Sequence, residues 1–203
     1  GRECSQFLCE RFGLGNGAGD TLSISDYQGW AKSSFSFADG SVWSFSQLMA
    51  KVTTPVEVTG TTQADEFYGS SLNDTLMGAA GNDTLIGAAG ADVLAGQTGA
   101  DRLLGGAGND TYLFDTGGGA DLISDSEGDN VIRFGAGVDR SSVVFKATYT
   151  LSGSQVLKAE YTGGSIAIIG GAFGAVSSFQ FADGDCLFDA LDGRFGAGGY
   201  EVV

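Results

Sequence analysis

The middle of the chain alternates turn-forming residues and short apolar runs with a strict period of nine residues. Six units follow one another without a gap from Gly60 to Leu113, and they read GTTQADEFY, GSSLNDTLM, GAAGNDTLI, GAAGADVLA, GQTGADRLL and GGAGNDTYL. In each unit the first six residues favour a turn, whereas the last three suit a short strand. The pattern therefore predicts three-residue strands that are joined by six-residue turns.

The eighth position of every unit carries a large apolar side chain. These residues are Phe67, Leu76, Leu85, Leu94, Leu103 and Tyr112. Two units form an 18-residue coil, and residues one coil apart then stack at roughly 4.8 Å, the spacing of paired strands. The eighth side chains would point inward and fill a thin core. We predict an all-β fold, a parallel β-roll (β-solenoid) with 18-residue coils and β-rich capping segments on both sides.

The flanks of this array alternate apolar and polar residues with period two, which is typical of strands. FSFADG at 35–40 matches FQFADG at 179–184, and Asp-Gly between alternating apolar runs predicts a hairpin. The N-terminal flank matches only the back half of the C-terminal flank. We therefore expect this chain to be a piece of a tandem array in which Gly/Asp blocks alternate with β-rich spacers.

These patterns divide the chain into three predicted parts. Residues 1–52 form a partial β-rich flanking module with the first hairpin, and residues 53–130 form the roll. Residues 131–203 form a C-terminal β-rich capping module with the second hairpin. Both flanks would cover the open strand edges that a coil leaves at its ends.

The sixth position of every unit is an aspartate: Asp65, Asp74, Asp83, Asp92, Asp101 and Asp110. In 18-residue coils they form two columns, one along each edge of the roll. Two carboxylates about 4.8 Å apart repel by roughly 3–4 kcal/mol at an effective dielectric constant of about 20. The columns therefore predict a bound cation. Calcium suits them best because it accepts six to eight oxygen ligands in flexible geometry, including the backbone carbonyls that a Gly-rich turn exposes.

At these residues the array resembles the haemolysin-type calcium-binding repeat of RTX proteins, GGxGxDxUx, in which U is a large apolar residue. The unit at 105–113 matches throughout, whereas the first two units carry Gln63 and Leu72 in place of the Gly at position four. The resemblance implies that several calcium ions lie between stacked loops, held by aspartate carboxylates and by carbonyls of the first four loop positions. GGGADLISD at 117–125 resembles one more loop, with Asp121 as its ligand.

The flanks resemble the haemolysin-type calcium-binding-related segments that accompany such arrays, which implies that they cap the roll. The metal ligands implied by the resemblance are aspartates and loop residues. They are Asp65, Asp74, Asp83, Asp92, Asp101, Asp110 and Asp121, with Gly78, Ala80, Gly81, Gly87, Ala89, Gly90, Gly96, Thr98, Gly99, Gly105, Ala107 and Gly108.

Composition excludes several other functions. The chain of 203 residues carries 25 acidic and 10 basic residues, a net charge of −15, which argues against nucleic acid and anionic membranes as partners. It has no histidine, which removes the usual zinc sites and the commonest general base. No nucleophile and base pair is recognisable, so we predict that this chain is not an enzyme. No apolar run is long enough for a transmembrane helix, and the first residues do not resemble a secretory signal.

We therefore predict the calcium-binding RTX block of a large secreted bacterial toxin, bacteriocin-like protein or adhesin, which folds on calcium outside the cell. Its partners would be calcium ions, the type I secretion machinery and a host or cell-surface target. One alternative is a C-terminal secretion and folding appendage of a secreted enzyme such as a protease, lipase or epimerase. Another is a surface-recognition module in which Tyr27, Trp30 and Trp43 line a pocket.

Two smaller features complete the expectations. The ninth positions should face outward yet are apolar, and we expect a flank or a second chain to cover the stripe of Tyr68, Ile86 and Leu104. The three cysteines, Cys4, Cys9 and Cys186, are interpreted as separate thiols, with a Cys4–Cys9 disulfide as the alternative.

Overall fold

The structure is a computed structural model of the chain. It describes residues 34–36, 42–149, 155–169, 176–182, 184–187 and 200–202. These residues form strands almost throughout, so the prediction of an all-β fold is confirmed. Within this part of the chain no helix has the length and the hydropathy needed to cross a membrane.

The described strands are short. They are β1 (Ser34–Ser36), β2 (Val42–Ser44), β3 (Glu57–Thr59), β4 (Glu66–Tyr68), β5 (Thr75–Met77), β6 (Thr84–Ala89), β7 (Val93–Ala95), β8 (Arg102–Ala107), β9 (Thr111–Phe114), β10 (Gly119–Ser124), β11 (Asn130–Phe134), β12 (Val144–Tyr149), β13 (Gln155–Tyr161), β14 (Gly164–Ile169), β15 (Val176–Phe181), β16 (Gly184–Leu187) and β17 (Tyr200–Val202). Helix α1 spans Phe45–Met49, and a 3-10 turn spans Arg140–Ser142.

The strands of the nonapeptide array form a parallel β-roll. The first sheet has the order β17-β12-β13-β14-β10-β8-β6-β4, and the second has the order β16-β15-β11-β9-β7-β5-β3. Glu66 pairs with Thr84, and Thr84 pairs with Arg102, so each step equals two nonapeptide units. The same step separates Glu57 from Thr75 in the second sheet. The predicted coil of two units is therefore confirmed over the regular part of the array.

The core of the roll is a single file of side chains from each sheet. Five of the six eighth-position residues are fully buried, and Phe67 at the N-terminal end is 7 % exposed. Ile123 and Ile132 continue the two files at 0 % exposure. The period of nine places one large apolar residue per strand in the interior, as predicted.

The coil becomes two residues longer at the C-terminal end of the array. Arg102 of β8 pairs with Leu122 of β10, and Thr111 of β9 pairs with Val131 of β11. The two added residues lie in the turns, since the strands keep their inward positions. The sequence shows that the register breaks after Leu113, but not that the coil continues with longer turns.

The C-terminal flank extends both sheets of the roll. β14 pairs in parallel with β10, and β15 pairs in parallel with β11. Beyond them, β13 and β12 add antiparallel strands to the first sheet, and β16 adds one to the second. β15 and β16 pair antiparallel with Phe181 opposite Gly184, as expected for the second hairpin. Both strands of the last coil are therefore paired on their C-terminal side, so the coil has no open edge there.

Helix α1 covers the other end of the roll and was not predicted. Phe45, Leu48 and Met49 are buried in the common core with Phe67. A capping box starts the helix, because the Gln47 N–H donates to Ser44 Oγ and the Ser44 N–H donates to Gln47 Oε1. The spacing Ser-x-x-Gln before apolar residues is the signal that could have revealed it.

The outer stripe of Tyr68, Ile86 and Leu104 is only partly covered. The ring of Phe45 packs edge-on against Tyr68 at 5.3 Å between centroids, so the N-terminal flank covers one end of the outer stripe. Ile86 and Leu104 are half-buried and line a groove. Trp43 packs against the core, with Lys51 Nζ 5.7 Å from its ring centroid.

Several expected features lie outside the described residues. Tyr27 and Trp30 of the suggested pocket are among them, as are Cys4 and Cys9. Cys186 belongs to β16, where it pairs with Phe179. The first hairpin is represented by β1 and β2, which pair antiparallel with Phe35 opposite Trp43.

The single-file core makes each inward leucine important. Leu94 is 0 % exposed and pairs with Leu76 and Tyr112, whereas Leu113 points outward from the same sheet and is half-buried. We expect Leu94→Ala to lower the free energy of unfolding by about 2–5 kcal/mol, because it leaves a cavity. Leu113→Ala is the matched control and should cost less than about 1.5 kcal/mol. Denaturant unfolding in saturating calcium measures both, and equal losses would contradict the single-file core.

Candidate metal centre

The aspartates form two buried columns, and in every carboxylate after Asp65 one oxygen is fixed by the backbone of the preceding coil. In the first column the Asp65 N–H donates to Asp83 Oδ1 at 2.8 Å, and the Asp83 N–H donates to Asp101 Oδ1 at 2.8 Å. The Asp101 N–H donates to Asp121 Oδ1 at 3.0 Å. Asp121 therefore continues the column across the longer coil.

The second column has the same geometry and ends in an amide. The Asp74 N–H donates to Asp92 Oδ1 at 2.7 Å, and the Asp92 N–H donates to Asp110 Oδ1 at 2.8 Å. The Asp110 N–H donates to Asn130 Oδ1 at 2.7 Å. Asn130 thus takes the place of the next aspartate, with a neutral side chain that makes the same hydrogen bond.

The second carboxylate oxygen has no partner in the four central loops. Asp83, Asp92, Asp101 and Asp110 each bury Oδ2 without a hydrogen bond, and each residue is at most 2 % exposed. Buried polar atoms are almost always hydrogen-bonded, and a buried unpaired carboxylate is far more costly than a neutral group. Four such atoms at one repeat position are a donor set that fits a cation.

The first glycine of each loop leaves room beside the unpartnered oxygen. A Cβ built on Gly78 would strike Asp83 Oδ2 and would lie 2.8 Å from the Gly96 carbonyl oxygen. A Cβ built on Gly87 would strike Asp92 Oδ2 and would lie 2.7 Å from the next glycine carbonyl of its column. A carboxylate oxygen and a carbonyl oxygen of the next coil therefore converge on one space, which a side chain would fill.

The fourth glycine of each loop permits the loops to stack backbone on backbone. Gly81, Gly90, Gly99 and Gly108 have φ between 128° and 144°, a conformation that residues with a Cβ rarely adopt. A Cβ on Gly99 would collide with the Gly81 carbonyl oxygen. The glycine requirement at position four is thus both conformational and steric.

The third-position carbonyls already take part in a ladder between the loops. The Thr98 carbonyl accepts from the Gly81 N–H at 2.9 Å, and the Ala107 carbonyl accepts from the Gly90 N–H at 2.8 Å. Ala80 forms an isolated parallel bridge with Thr98. A carbonyl has two lone pairs, so each of these oxygens retains capacity for a second partner.

The carboxylates of the first two units are satisfied by their own loops. Asp65 Oδ2 accepts from the Thr61 N–H at 2.6 Å and from Thr61 Oγ1 at 2.9 Å. Asp74 Oδ2 accepts from the Ser70 N–H at 2.5 Å and from Ser70 Oγ at 3.0 Å. The first two units therefore have the same register as the later units, but their Oδ2 atoms are hydrogen-bonded.

Burial changes the electrostatics of the columns. Desolvation raises the pKa of Asp92 to about 7, that of Asp110 to about 6 and that of Asp121 to about 7. Desolvation also raises the pKa of Asp83 and Asp101, and for Asp83 the neighbouring carboxylates add to the shift. The ionised columns are unfavourable by themselves, and a bound cation reverses that balance.

A polar network closes the C-terminal end of the second column, and sequence reasoning missed it. Tyr112 Oη accepts from the Gly105 N–H at 2.9 Å and donates to Asp125 Oδ2 at 2.5 Å. The same Asp125 oxygen accepts from Asn130 Nδ2 at 2.9 Å. The only sequence signal is Tyr in place of Leu at position eight of the last unit.

A metal site here must combine side-chain and backbone oxygens. Among the residues that the structure describes, no three Asp, Glu, His or Cys side chains form a metal-binding group. The aspartate columns and the first-position glycine carbonyls of Gly96 and Gly105 nevertheless lie close together. This donor set consists of hard oxygens on a flexible loop, which fits calcium and not the transition metals.

The fold and the donor set together define a calcium-binding module of parallel β-roll type. Residues 59–94, 68–103, 86–117 and 113–140 match the RTX calcium-binding nonapeptide repeat, in four copies. Residues 59–140 are therefore RTX repeats, which bind several calcium ions.

Comparison with whole proteins adds a partial likeness to a solved structure. No curated protein matches this chain. The AlgE6R3 subunit of the mannuronan C5-epimerase from Azotobacter vinelandii is 26% identical over 60% of this chain and 79% of that subunit, with a TM-score of 0.46.

The raised pKa values predict a pH dependence in calcium-free buffer. A carboxyl whose pKa is raised on folding contributes stability below its unfolded value near 4, and that stability is lost as pH rises through the folded value. Since the pKa values of Asp110 and Asp92 reach about 6 and about 7, we expect the β-sheet signal in chelator to fall between about pH 4 and about pH 7. Circular dichroism measures it.

Asp92→Asn should flatten this dependence, whereas Asp129→Asn removes the same charge from an exposed position and should not. A calcium-free signal that increases with pH would contradict the argument. In saturating calcium the dependence over this range should disappear, because the ion holds the carboxylates ionised.

A second prediction concerns loop stacking. Gly99 and Gly117 both have positive φ, but a Cβ at Gly117 meets nothing within 4 Å, whereas one at Gly99 meets the Gly81 carbonyl. We expect Gly117→Ala to cost about 1–2 kcal/mol of stability from backbone strain alone. Gly99→Ala should cost at least twice as much and should weaken calcium binding. Denaturant unfolding in saturating calcium distinguishes them, and equal costs would show that strain alone matters.

Proposed function

We propose that this chain is a calcium-dependent folding module of a larger secreted protein. The roll is unstable while its carboxylates lack cations, and it folds when calcium ions enter the loops. The observation that carries this proposal is the set of four buried carboxylate oxygens without a hydrogen-bond partner, at Asp83, Asp92, Asp101 and Asp110. No catalytic role is assigned to this segment.

The proposed ligands are these carboxylates together with loop carbonyls. Gly96 and Gly105 contribute the carbonyls that converge with Asp83 Oδ2 and Asp92 Oδ2. The remaining loop positions expected from the sequence supply further oxygens. They are Gly78, Ala80, Gly81, Gly87, Ala89, Gly90, Thr98, Gly99, Ala107 and Gly108.

Magnitudes support conditional folding. Leaving one buried ion without its partner typically costs about 3–5 kcal/mol, and a whole domain is stable by only about 5–15 kcal/mol. The combined cost of four uncompensated carboxylates therefore reaches or exceeds the stability of an ordinary domain when all four are ionised. At neutral pH the cation is needed to keep the roll folded.

We further propose three functional parts: the roll at 53–130, with flanking modules at 1–52 and 131–203. Helix α1 at one end and β14 and β15 at the other support a capping role for the flanks. The sheets run without interruption from β10 and β11 into the C-terminal flank. Folding of that flank would therefore depend on the roll.

Conditional folding suits export through a type I secretion system, because calcium is scarce in the cytosol and abundant outside the cell. The parent protein would be a toxin, bacteriocin-like protein or adhesin that acts on a host or cell surface. A net charge of −15 favours an unfolded, self-repelling chain before calcium is met. The RTX repeats at 59–140 support this assignment.

The proposal predicts a reversible, calcium-driven transition of the full chain. Circular dichroism should change from coil to β-sheet on addition of calcium and should reverse with chelator. Asp92→Asn combined with Asp110→Asn should raise the calcium concentration at the midpoint about tenfold or more, since each tenfold step is only about 1.4 kcal/mol. Asp139→Asn, at an exposed position, is the control for charge removal. The same β-sheet content in chelator and in calcium at neutral pH would refute the proposal.

A further inference from the structure

The first two units of the array differ from the next four in how their aspartates are satisfied. We propose that these units are calcium-independent coils, in which Thr61 and Ser70 take the place of the cation at Asp65 and Asp74. This inference rests on the proposed function, because it assumes that the central loops bind calcium. It places the calcium sites in the four later units and none in the first two, although all six units share one register.

We call the first two loops closed, because the second residue of each loop hydrogen-bonds to the aspartate of the same loop. In each loop the second residue offers both its N–H and its hydroxyl to the carboxylate four residues later, at 2.6 and 2.9 Å for Thr61 and 2.5 and 3.0 Å for Ser70. The other oxygen of Asp74 accepts from the Val56 N–H at 2.5 Å. A carboxylate that its own loop already satisfies has less to gain from a cation than one whose buried oxygen is bare.

The second position changes conformation at the third unit. Ala79, Ala88 and Gln97 have φ of 75°, 82° and 71°, and they are the non-glycine residues with positive φ in the described part of the chain. Thr61 and Ser70 are not among them. A left-handed conformation costs a residue with a Cβ about 1–2 kcal/mol, so the central loops hold a strained geometry in which the second residue does not reach the carboxylate.

The fourth position changes at the same place. Gln63 and Leu72 occupy it in the first two units, and glycine occupies it afterwards. A Cβ on Gly81 would lie 2.5 Å from the Gln63 carbonyl oxygen, and a Cβ on Gly90 would collide with the Leu72 carbonyl oxygen. The first two loops have no preceding array loop beneath them, so they can carry side chains where the later loops cannot.

The closed units hold the first open carboxylates in place. The N–H groups of Asp65 and Asp74 donate to Oδ1 of Asp83 and Asp92, and Oδ2 of each acceptor has no hydrogen bond. Helix α1 packs on the same end of the core. The N-terminal end of the roll is therefore a preformed surface on which the first calcium loops assemble.

The number of calcium ions bound per chain tests the inference. Equilibrium dialysis followed by metal analysis should give the same number for the wild type and for Asp65→Asn combined with Asp74→Asn. The matched pair, Asp92→Asn combined with Asp110→Asn, should lose about two ions, one for each open carboxylate removed. An equal loss in both pairs would overturn the inference and leave the proposed function intact. A wild type that binds no calcium would instead refute the proposed function.

Substitutions that convert the first two loops to the glycine pattern of the later loops should increase the number of bound calcium ions. Thr61→Gly with Gln63→Gly, and Ser70→Gly with Leu72→Gly, remove the closing hydroxyls and restore glycine at position four. We expect the combined variant to bind more calcium than the wild type, and an unchanged number would count against the role of these side chains.

A measurement on the wild type avoids any folding defect of the variants. In the calcium-loaded protein, NMR should detect scalar couplings across the hydrogen bonds from the Thr61 and Ser70 amides to the side-chain carboxyl carbons of Asp65 and Asp74. Detection of these couplings would support the hydrogen bonds within the first two loops. Their absence in the calcium-loaded protein would overturn the inference.

Discussion

The whole roll depends on one bond type, the hydrogen bond from an aspartate N–H to the carboxylate of the aspartate in the next coil. It fixes Oδ1 at 2.7–3.0 Å from the backbone and so sets where Oδ2 must point. Because this bond repeats along both edges, like charges are stacked within a low-dielectric interior. The backbone geometry that makes the coils regular is therefore the same geometry that stacks their carboxylates and leaves four Oδ2 atoms without a hydrogen bond.

The glycines, the thin core and the caps follow from that constraint. A carboxylate that faces the next coil needs space beside position one and a close approach of backbones at position four, and only glycine provides both. Since most of each unit lies in turns, one inward side chain per strand remains for the core. Such a core cannot shield its own ends, so Leu48 of helix α1 at one end and the aromatic cluster around Phe134 and Phe181 at the other close it.

The sequence predicts the regular features well because a fixed period leaves little freedom. The register from Glu66 to Thr84 and the inward position of Leu85 follow directly from units of nine. Features that depend on a single local contact could not be predicted in the same way. The longer step to Leu122 and the amide of Asn130 at the end of a column break the period, so the pattern does not reach them. The hydroxyls of Thr61 and Ser70 are visible in the sequence, but their reach to the carboxylates is set by backbone conformation.

The C-terminal flank is connected to the first aspartate column through the first sheet. Asp121 lies in β10 and pairs directly with Ile166 of β14, while its Oδ1 is bound by the Asp101 N–H. Ordering the first column therefore positions the strand on which the antiparallel part of the flank is built. Since β14 has no other parallel neighbour in the described sheet, its docking edge exists only when the last coil is folded. Under the proposed function, calcium in the loops would act on residues far along the chain by completing a strand edge, without contacting them.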